Sequence, residues 1–294
     1  MTHRIIDSPQ KLTLDQPVER LDVHLVAGRL NVIGADGPTR VEVTRISRAP
    51  LVVEHRDGHL SVRHQRIRRW PGLWWWLGQL GRRFRAEVSL AVPPDARVQL
   101  RLISGPVIAS GLRATTDVEV TSGQVTLLGL RGRTRAKLVS GPVEALGGDG
   151  ELTLETISGE LIVADSAAER VHATTVSGAI TCDVDNPRDS EIQLGTTSGG
   201  ITVRVREDSD LTVDLKTTSG RITSAFTQLD TAESVSWSKS SRGVLGRGTG
   251  RLRAASTSGS IALLARPVAD EPTDSEPTDE PVNAEPARNR EAGA

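Results

Sequence analysis

Apolar and polar residues alternate along most of the chain. Val88, Leu90 and Val92 fall on one face of the run at 86–92, and Val98, Leu100 and Leu102 on one face of the next. Leu152 and Leu154, Ile192 and Leu194, and Ile201 and Val203 repeat the pattern further on. A period of two is that of a half-buried strand. Nearer the start, Leu21-Asp22-Val23-His24-Leu25, Leu30-Asn31-Val32 and Arg40 to Ile46 alternate in the same way. Asp57-Gly58 sits between Leu51-Val52-Val53 and Leu60-Ser61-Val62, a hairpin signal because a type I′ turn needs positive φ at its centre. Pro93-Pro94-Asp95 forces another turn, since proline cannot continue a ladder.

One phrase punctuates these runs. Ser-Gly occurs at Ser104-Gly105, Ser122-Gly123, Ser140-Gly141, Ser158-Gly159, Ser177-Gly178, Ser198-Gly199, Ser219-Gly220 and Ser258-Gly259. The serines are 18, 18, 18, 19, 21, 21 and 39 residues apart. A fixed period of this length signals a repeat architecture. The last step reads as two coils with a degenerate member near Ser241-Arg242-Gly243, and Ala27-Gly28 reads as a worn copy of the phrase. The pattern predicts an all-β, single-chain parallel β-solenoid with coils of 18–21 residues. Stacked at about 4.8 Å, roughly nine coils give a rod on the order of 40 Å long. An antiparallel β-meander of the same period is the alternative. Each Ser-Gly pair is read as a structural hinge, glycine taking a backbone conformation closed to other residues and serine hydrogen-bonding the bend.

Four regions follow: an N-terminal β cap over 1–62, an insertion over 63–85, the solenoid over 86–266 and a tail from 267 to 294. The tail carries five prolines, eight acids and two arginines, and is expected to be disordered. The 37% hydrophobic content and 28 glycines suit a thin solenoid with a small core per residue. Cys182 is the only cysteine, which excludes an intrachain disulfide and a Cys-rich metal cluster. Neither an apolar leader core nor an 18-residue apolar run occurs, so the expected location is the cytosol, with peripheral membrane attachment.

Residues 86–265, with Thr-Ile-Ser-Gly at 156–159, Thr-Val-Ser-Gly at 175–178, Thr-Thr-Ser-Gly at 196–199 and 217–220, and Ser-Thr-Ser-Gly at 256–259, resemble the bacterial “putative adhesin” domain family of unknown function. That family is built of Ser-Gly-centred β-strand repeats. The resemblance implies a β-solenoid-like fold and, in some bacteria, genes near cell-envelope stress systems. It implies neither an enzyme nor a ligand.

The most distinctive stretch outside the repeat is Arg63 to Arg85. Its candidate contact residues are Trp70, Trp74, Trp75, Trp76, Arg68, Arg69, Arg82 and Arg83, and no acid lies between Asp57 and Glu87. Indoles favour the bilayer interface and arginines meet anionic phosphates; both residue types also serve protein partners. Packing of the tryptophans as a hydrophobic cap is the structural reading of the same residues. Nucleic acid is not expected, because the remaining surface is only mildly basic. The oligomeric state is open.

Other chemistry is weakly signalled. His55 and His59 flank the Asp57-Gly58 turn beside Glu54, which places both imidazoles on a hairpin surface rather than in a zinc site. Cys182 reads as a partly buried strand thiol, with His172 nearby in sequence. Gly243 to Gly250 lacks the Lys-Ser/Thr ending of a phosphate-binding loop. Glu151, Glu155, Glu160 and Asp165 share one coil and read as solvated. No serine sits in a nucleophile elbow. The expectation is therefore no catalytic residue, no metal and no cofactor. The chain reads as a non-catalytic β-repeat interaction scaffold; an adhesin-like or carbohydrate-binding β-helix and a polysaccharide-active enzyme are the alternatives.

Overall fold

A computed structural model describes residues 2–65, 84–185, 189–233 and 238–267. The first strands are β1 (Thr2–Ile6), β2 (Gln10–Leu14), β3 (Arg20–Gly34), β4 (Thr39–Ile46), β5 (Leu51–Arg56), β6 (His59–His64) and β7 (Arg85–Val92). Two-strand coils follow: β8 (Arg97–Ser104) with β9 (Val107–Ser110), β10 (Thr116–Ser122) with β11 (Val125–Leu128), β12 (Arg133–Ser140) with β13 (Val143–Leu146), and β14 (Glu151–Ser158) with β15 (Leu161–Ser166). Next come β16 (Arg170–Ser177) with β17 (Ile180–Val184), β18 (Glu191–Ser198) with β19 (Ile201–Arg206), and β20 (Leu211–Ser219) with β21 (Ile222–Ser224). β22 (Asp230–Glu233) and β23 (Lys239–Leu245) precede the last coil, β24 (Gly250–Ser258) with β25 (Ile261–Arg266).

Within the coils, first strands pair in parallel with first strands and second strands with second strands. The repeat is thus a parallel solenoid and not a meander. The register is kept at the hinge, where Ser104, Ser122, Ser140, Ser158, Ser177 and Ser198 are successive partners. Inward residues of both strands meet between the two walls, with Leu100, Val118, Ala136 and Leu154 from one and Val107, Val125, Val143 and Leu161 from the other. The return turns close the third side through buried Leu112, Leu130 and Ala168.

β3 is itself a coil. Its first half pairs with β6 and β8, its second half with β7 and β9, and Gly28 stands in line with Gly105. Beyond it, β1, β5 and β6 on one wall and β2, β4 and β7 on the other close this end with antiparallel pairings. The β5–β6 turn has φ of 49° at Asp57 and 73° at Gly58, the two positive values a type I′ turn demands.

Each hinge turns on its glycine, joined in the later coils by a buried Thr or Ser hydroxyl, while the hinge serine contributes its backbone carbonyl and leaves its side chain exposed. The Gly141 N–H donates to the Ser158 carbonyl of the next coil at 2.9 Å, and the other hinges repeat this bond. The glycine carbonyls point along the stack at the next hinge glycine: a Cβ on Gly141 would lie 1.8 Å from Gly123 O. In the later coils a buried hydroxyl two residues before the serine bonds that carbonyl. Thr175 Oγ1 donates to Gly159 O at 3.3 Å, Thr196 Oγ1 to Gly178 O at 3.2 Å, Ser256 Oγ to Gly199 O at 3.1 Å and Thr217 Oγ1 to Gly259 O at 2.8 Å. The hinge serines are exposed. Thr196→Val keeps shape and loses this bond, so it is expected to cost about 1 kcal/mol. Ser104→Ala, on the exposed side, is expected to stay within about 0.5 kcal/mol. Urea denaturation of both variants measures the contrast.

Two local expectations are corrected. The segment around Ser241 is no degenerate coil: β23 runs antiparallel to β20, pairing Ser241 with Leu215, and β22 adds to it antiparallel. Antiparallel strands cannot supply the two parallel rungs a coil requires. His55 is not on the hairpin surface but is 1% exposed, because it falls on the inward phase of β5 with Leu51 and Val53.

Candidate binding groove on the outer wall

The outward residue just before each hinge serine forms a single column. Val26, Ile103, Thr121, Val139, Ile157 and Val176 are successive rungs of it, followed by Thr197, Thr257 and Thr218. All nine are β-branched, the side-chain type that suits a pleated surface. Four stay about half exposed: Ile103 (49%), Val139 (47%), Ile157 (53%) and Val176 (51%). At one rung per strand spacing, the strip from Val26 to Val176 is about 24 Å long.

At its N-terminal end the strip floors a groove of about 1120 Å³. Val26, Ile103 and Val139 form the apolar base, and Arg63, Glu54, His24, Arg101, Glu119 and Lys137 stand around it. These charges are largely paired. Arg63 reaches both oxygens of Glu54 at 2.9 and 3.0 Å, with His3 at 3.5 Å from the same carboxylate. Arg101 donates to Glu119 at 3.0 Å and its Nη1 lies 3.1 Å from His24 Nε2. Burial, and then the Arg101 charge, hold the His24 pKa below its ordinary value. That keeps His24 neutral, able to accept the Arg101 hydrogen.

His64 closes the rim and replaces a missing rung. β6 stops there, and the imidazole Nδ1 accepts the Val26 N–H at 3.1 Å where a strand carbonyl would otherwise stand. Phe84 packs edge-on against the ring at 5.8 Å between centroids. Burial pushes the His64 pKa down to about 4. β6 and β7 precede and follow the segment 66–83 in sequence; β6 pairs with Arg20–His24 of β3 and β7 with Ala27–Gly34. Gln65 lines the groove, and Phe84 touches the groove-lining His64. The candidate contacts Trp70, Trp74, Trp75, Trp76, Arg68, Arg69, Arg82 and Arg83 lie outside the described residues.

A second groove of about 670 Å³ lies further along the same wall, over Gly195 and Ala255. Thr174, Thr197, Thr218 and Thr257 line it, with Lys216 and Arg242 at one end. Both cations bond Asp214, at 2.8 and 3.1 Å.

A model of the Toastrack DUF4097 family matches residues 39–264. The chain belongs to the Toastrack DUF4097 family. Comparison with curated proteins found no match. Among solved structures, this Toastrack chain is similar to a “putative adhesin” from Bacteroides fragilis NCTC 9343, at 12% identity and TM-score 0.45 over 88% of this chain and 98% of that one. It is similar to a “putative lipid binding protein” from Parabacteroides distasonis ATCC 8503, at 10% identity and TM-score 0.44 over 88% and 97%. A “putative adhesin” from Parabacteroides merdae ATCC 43184 aligns at 10% identity and TM-score 0.34 over 89% and 96%.

The remaining sequence candidates disperse over the Toastrack walls. His59 is exposed and its Nε2 lies 2.6 Å from Asp22, far in role from the buried His55. Glu151 pairs with Arg133 at 3.1 Å and Arg170 at 3.6 Å, and Glu155 with Lys137 at 2.8 Å. Among the described residues, no group of three or more His, Cys, Asp or Glu side chains is placed to hold a metal. Cys182 points inward at 1% exposure, and burial followed by the Asp183 charge pushes its thiol up to about 12. Iodoacetamide is expected to leave the native protein unmodified and to alkylate it fully in denaturant, read by mass.

Sequence reading missed His64, His3 and Arg101 as neighbours. The β-branched column was present in the residue before each serine, but its members lie 18 or more residues apart and become a surface only when stacked.

Proposed function

We propose that this protein is a non-catalytic solenoid scaffold that docks peripherally on an anionic membrane, at the cytoplasmic face, through the hinge-side groove. One observation carries the reading. The exposed β-branched strip floors a groove lined by Gln65 and by His64, which Phe84 contacts, and Gln65 and Phe84 are the described residues that flank the Trp/Arg stretch 66–83 in sequence. Apolar surface, indoles and arginines together are what an interfacial site needs: the first two enter the headgroup boundary and the last meets phosphate. The solenoid wall supplies a rigid base for that contact.

Co-sedimentation with phosphatidylglycerol-containing vesicles tests it. Wild-type protein is expected to pellet with anionic vesicles, less so in high salt, and to ignore phosphatidylcholine. The triple change Trp74→Ser, Trp75→Ser, Trp76→Ser and the pair Ile103→Asp, Val139→Asp are each expected to reduce pelleting. Undiminished binding by both variants, or no binding by the wild type, refutes the proposal.

A further inference from the structure

The coils do not stack in chain order at the C-terminal end. β18–β19 and β20–β21 follow one another in sequence, and each carries Thr-Thr-Ser-Gly. In space the last coil stands between them. Ser258 pairs with Ser198 on one side and Ser219 on the other, Arg251 with Glu191 and Thr212, and Ile261 with Ile201 and Ile222. One full coil position between two consecutive coils is therefore filled by β24–β25.

The filling coil obeys every rule of the repeat. Gly199 N–H donates to the Ser258 carbonyl and Gly259 N–H to the Ser219 carbonyl, each at 3.0 Å. Leu252, Ala254, Ile261 and Leu263 enter the common core. Its tether is short. β23 lies on one flank of β20 and β24 on the other, since Leu211 partners both Leu245 and Gly250. The link 246–249 thus crosses two strand spacings, about 10 Å, beneath the start of β20. It does so with positive φ at Gly246 (54°) and Gly248 (68°). Asp210 pins it, accepting from the Arg247 N–H at 2.7 Å and from its guanidinium at 2.9 Å. No described strand follows β25.

We propose that this slot is a strand-exchange site whose other occupant is β24–β25 of a second copy of this chain. The exchange is reciprocal and gives a two-fold dimer. All ladder bonds and core contacts of the coil are the same whether it comes from its own chain or from a partner. Only the link differs: straightened, it no longer has to double back across β20. Short hinge links of this kind favour exchange of identical elements between copies. In dilute solution the tether favours self-insertion, because it sets a high effective concentration. Shortening it removes that advantage.

The experiment uses the full chain. Deleting Arg247 and Gly248 leaves three Cα steps between Leu245 and Gly250, about 10 Å when fully extended and without slack to pass round β20, and is expected to convert a monomer to a dimer of twofold mass in size exclusion with unchanged far-ultraviolet dichroism. In the shortened background, Glu191→Cys and Arg251→Cys proteins are unfolded, mixed and refolded together. Oxidation is expected to join the two chains through Cys pairs at 191 and 251, while the double variant in the unshortened chain cross-links within itself. A folded monomer, or a dimer lacking the 191–251 interchain bond, overturns the proposal. A folded monomer would mean that β18 and β20 have closed directly on one another. If the shortened chain fails to fold, the two single variants are refolded together at full length and high concentration. Absence of the interchain product there overturns it equally.

Discussion

Gly141→Ala is expected to cost about 4 kcal/mol or more, the range reserved for a structure that cannot relax around a change. The added methyl would sit 1.8 Å from Gly123 O and 2.8 Å from its carbon, both backbone atoms of the adjacent coil. Its φ of +129° is also closed to a side chain. No rotamer change relieves either problem. The only escape is to separate the coil β12–β13 from β10–β11, which breaks two parallel ladders at once. Solenoid stability is a sum over neighbouring coils, so one failed interface divides the rod into two shorter ones. Urea denaturation is expected to show either a large fall in midpoint or two transitions in place of one. Gly195→Ala supplies the control. There the nearest atom is Thr174 Cγ2 at 3.5 Å, an ordinary contact, and Ala255 already fills the same position in the adjoining coil. That variant is expected to be neutral or to gain up to about 0.5 kcal/mol, since glycine loses the most freedom on folding.

The contrast shows what in the fold could be read from residues alone. Alternation and the Ser-Gly period were sufficient for strands, coils and hinge positions, and Ala27-Gly28 was recognisable as a worn hinge. They were insufficient for two things. First, the phrase does not say which of its residues makes the bend. Serine is the constant partner of glycine, yet the bonding hydroxyl is two residues earlier, at Thr175, Thr196, Ser256 and Thr217. Only the inward phase of the strand makes that assignment. Second, the phrase does not order the coils. Because the coils share an inward alternation and a hinge, the phrase does not say which coil fills which slot, and β24–β25 takes one that chain order would assign to β20–β21. The 39-residue step between Ser219 and Ser258 was the visible trace of this. It marked an antiparallel excursion through β22 and β23 followed by a return.

The groove was the least legible feature, for a related reason. Its apolar base takes one residue from each of several coils, and its rim combines β1, β5 and β6 at the capped end with side chains of β3, β8, β10 and β12. Neither source forms a contiguous motif. His64 is the instructive member. In sequence it is one histidine before an arginine-rich stretch; in the fold it stands in for a strand carbonyl at the point where the ladder of β6 ends.

That role makes His64 the source of an expected acid-sensitivity. Its pKa is about 4 in the folded protein against an ordinary 6.5. The unfolded chain therefore binds a proton more readily, and stability must fall as pH drops through the interval between those values. The contribution is complete above pH 6.5 and exhausted at about pH 4, where the total loss reaches about 3 kcal/mol. By about pH 5 some 2 kcal/mol of it has gone, before most carboxylates titrate. The His24 shift has the same direction and adds to the slope. The depressed carboxyl of Asp214 acts lower, beneath the ordinary carboxylate range. His64→Asn retains a side-chain acceptor for Val26 without a titrating group, and is expected to flatten the stability profile between pH 7 and 5 while costing about 1–2 kcal/mol at pH 7 from altered packing. Denaturation midpoints measured across that interval decide the matter. Parallel profiles for wild type and variant would show that the imidazole is not held neutral by its burial between Val26 and Phe84.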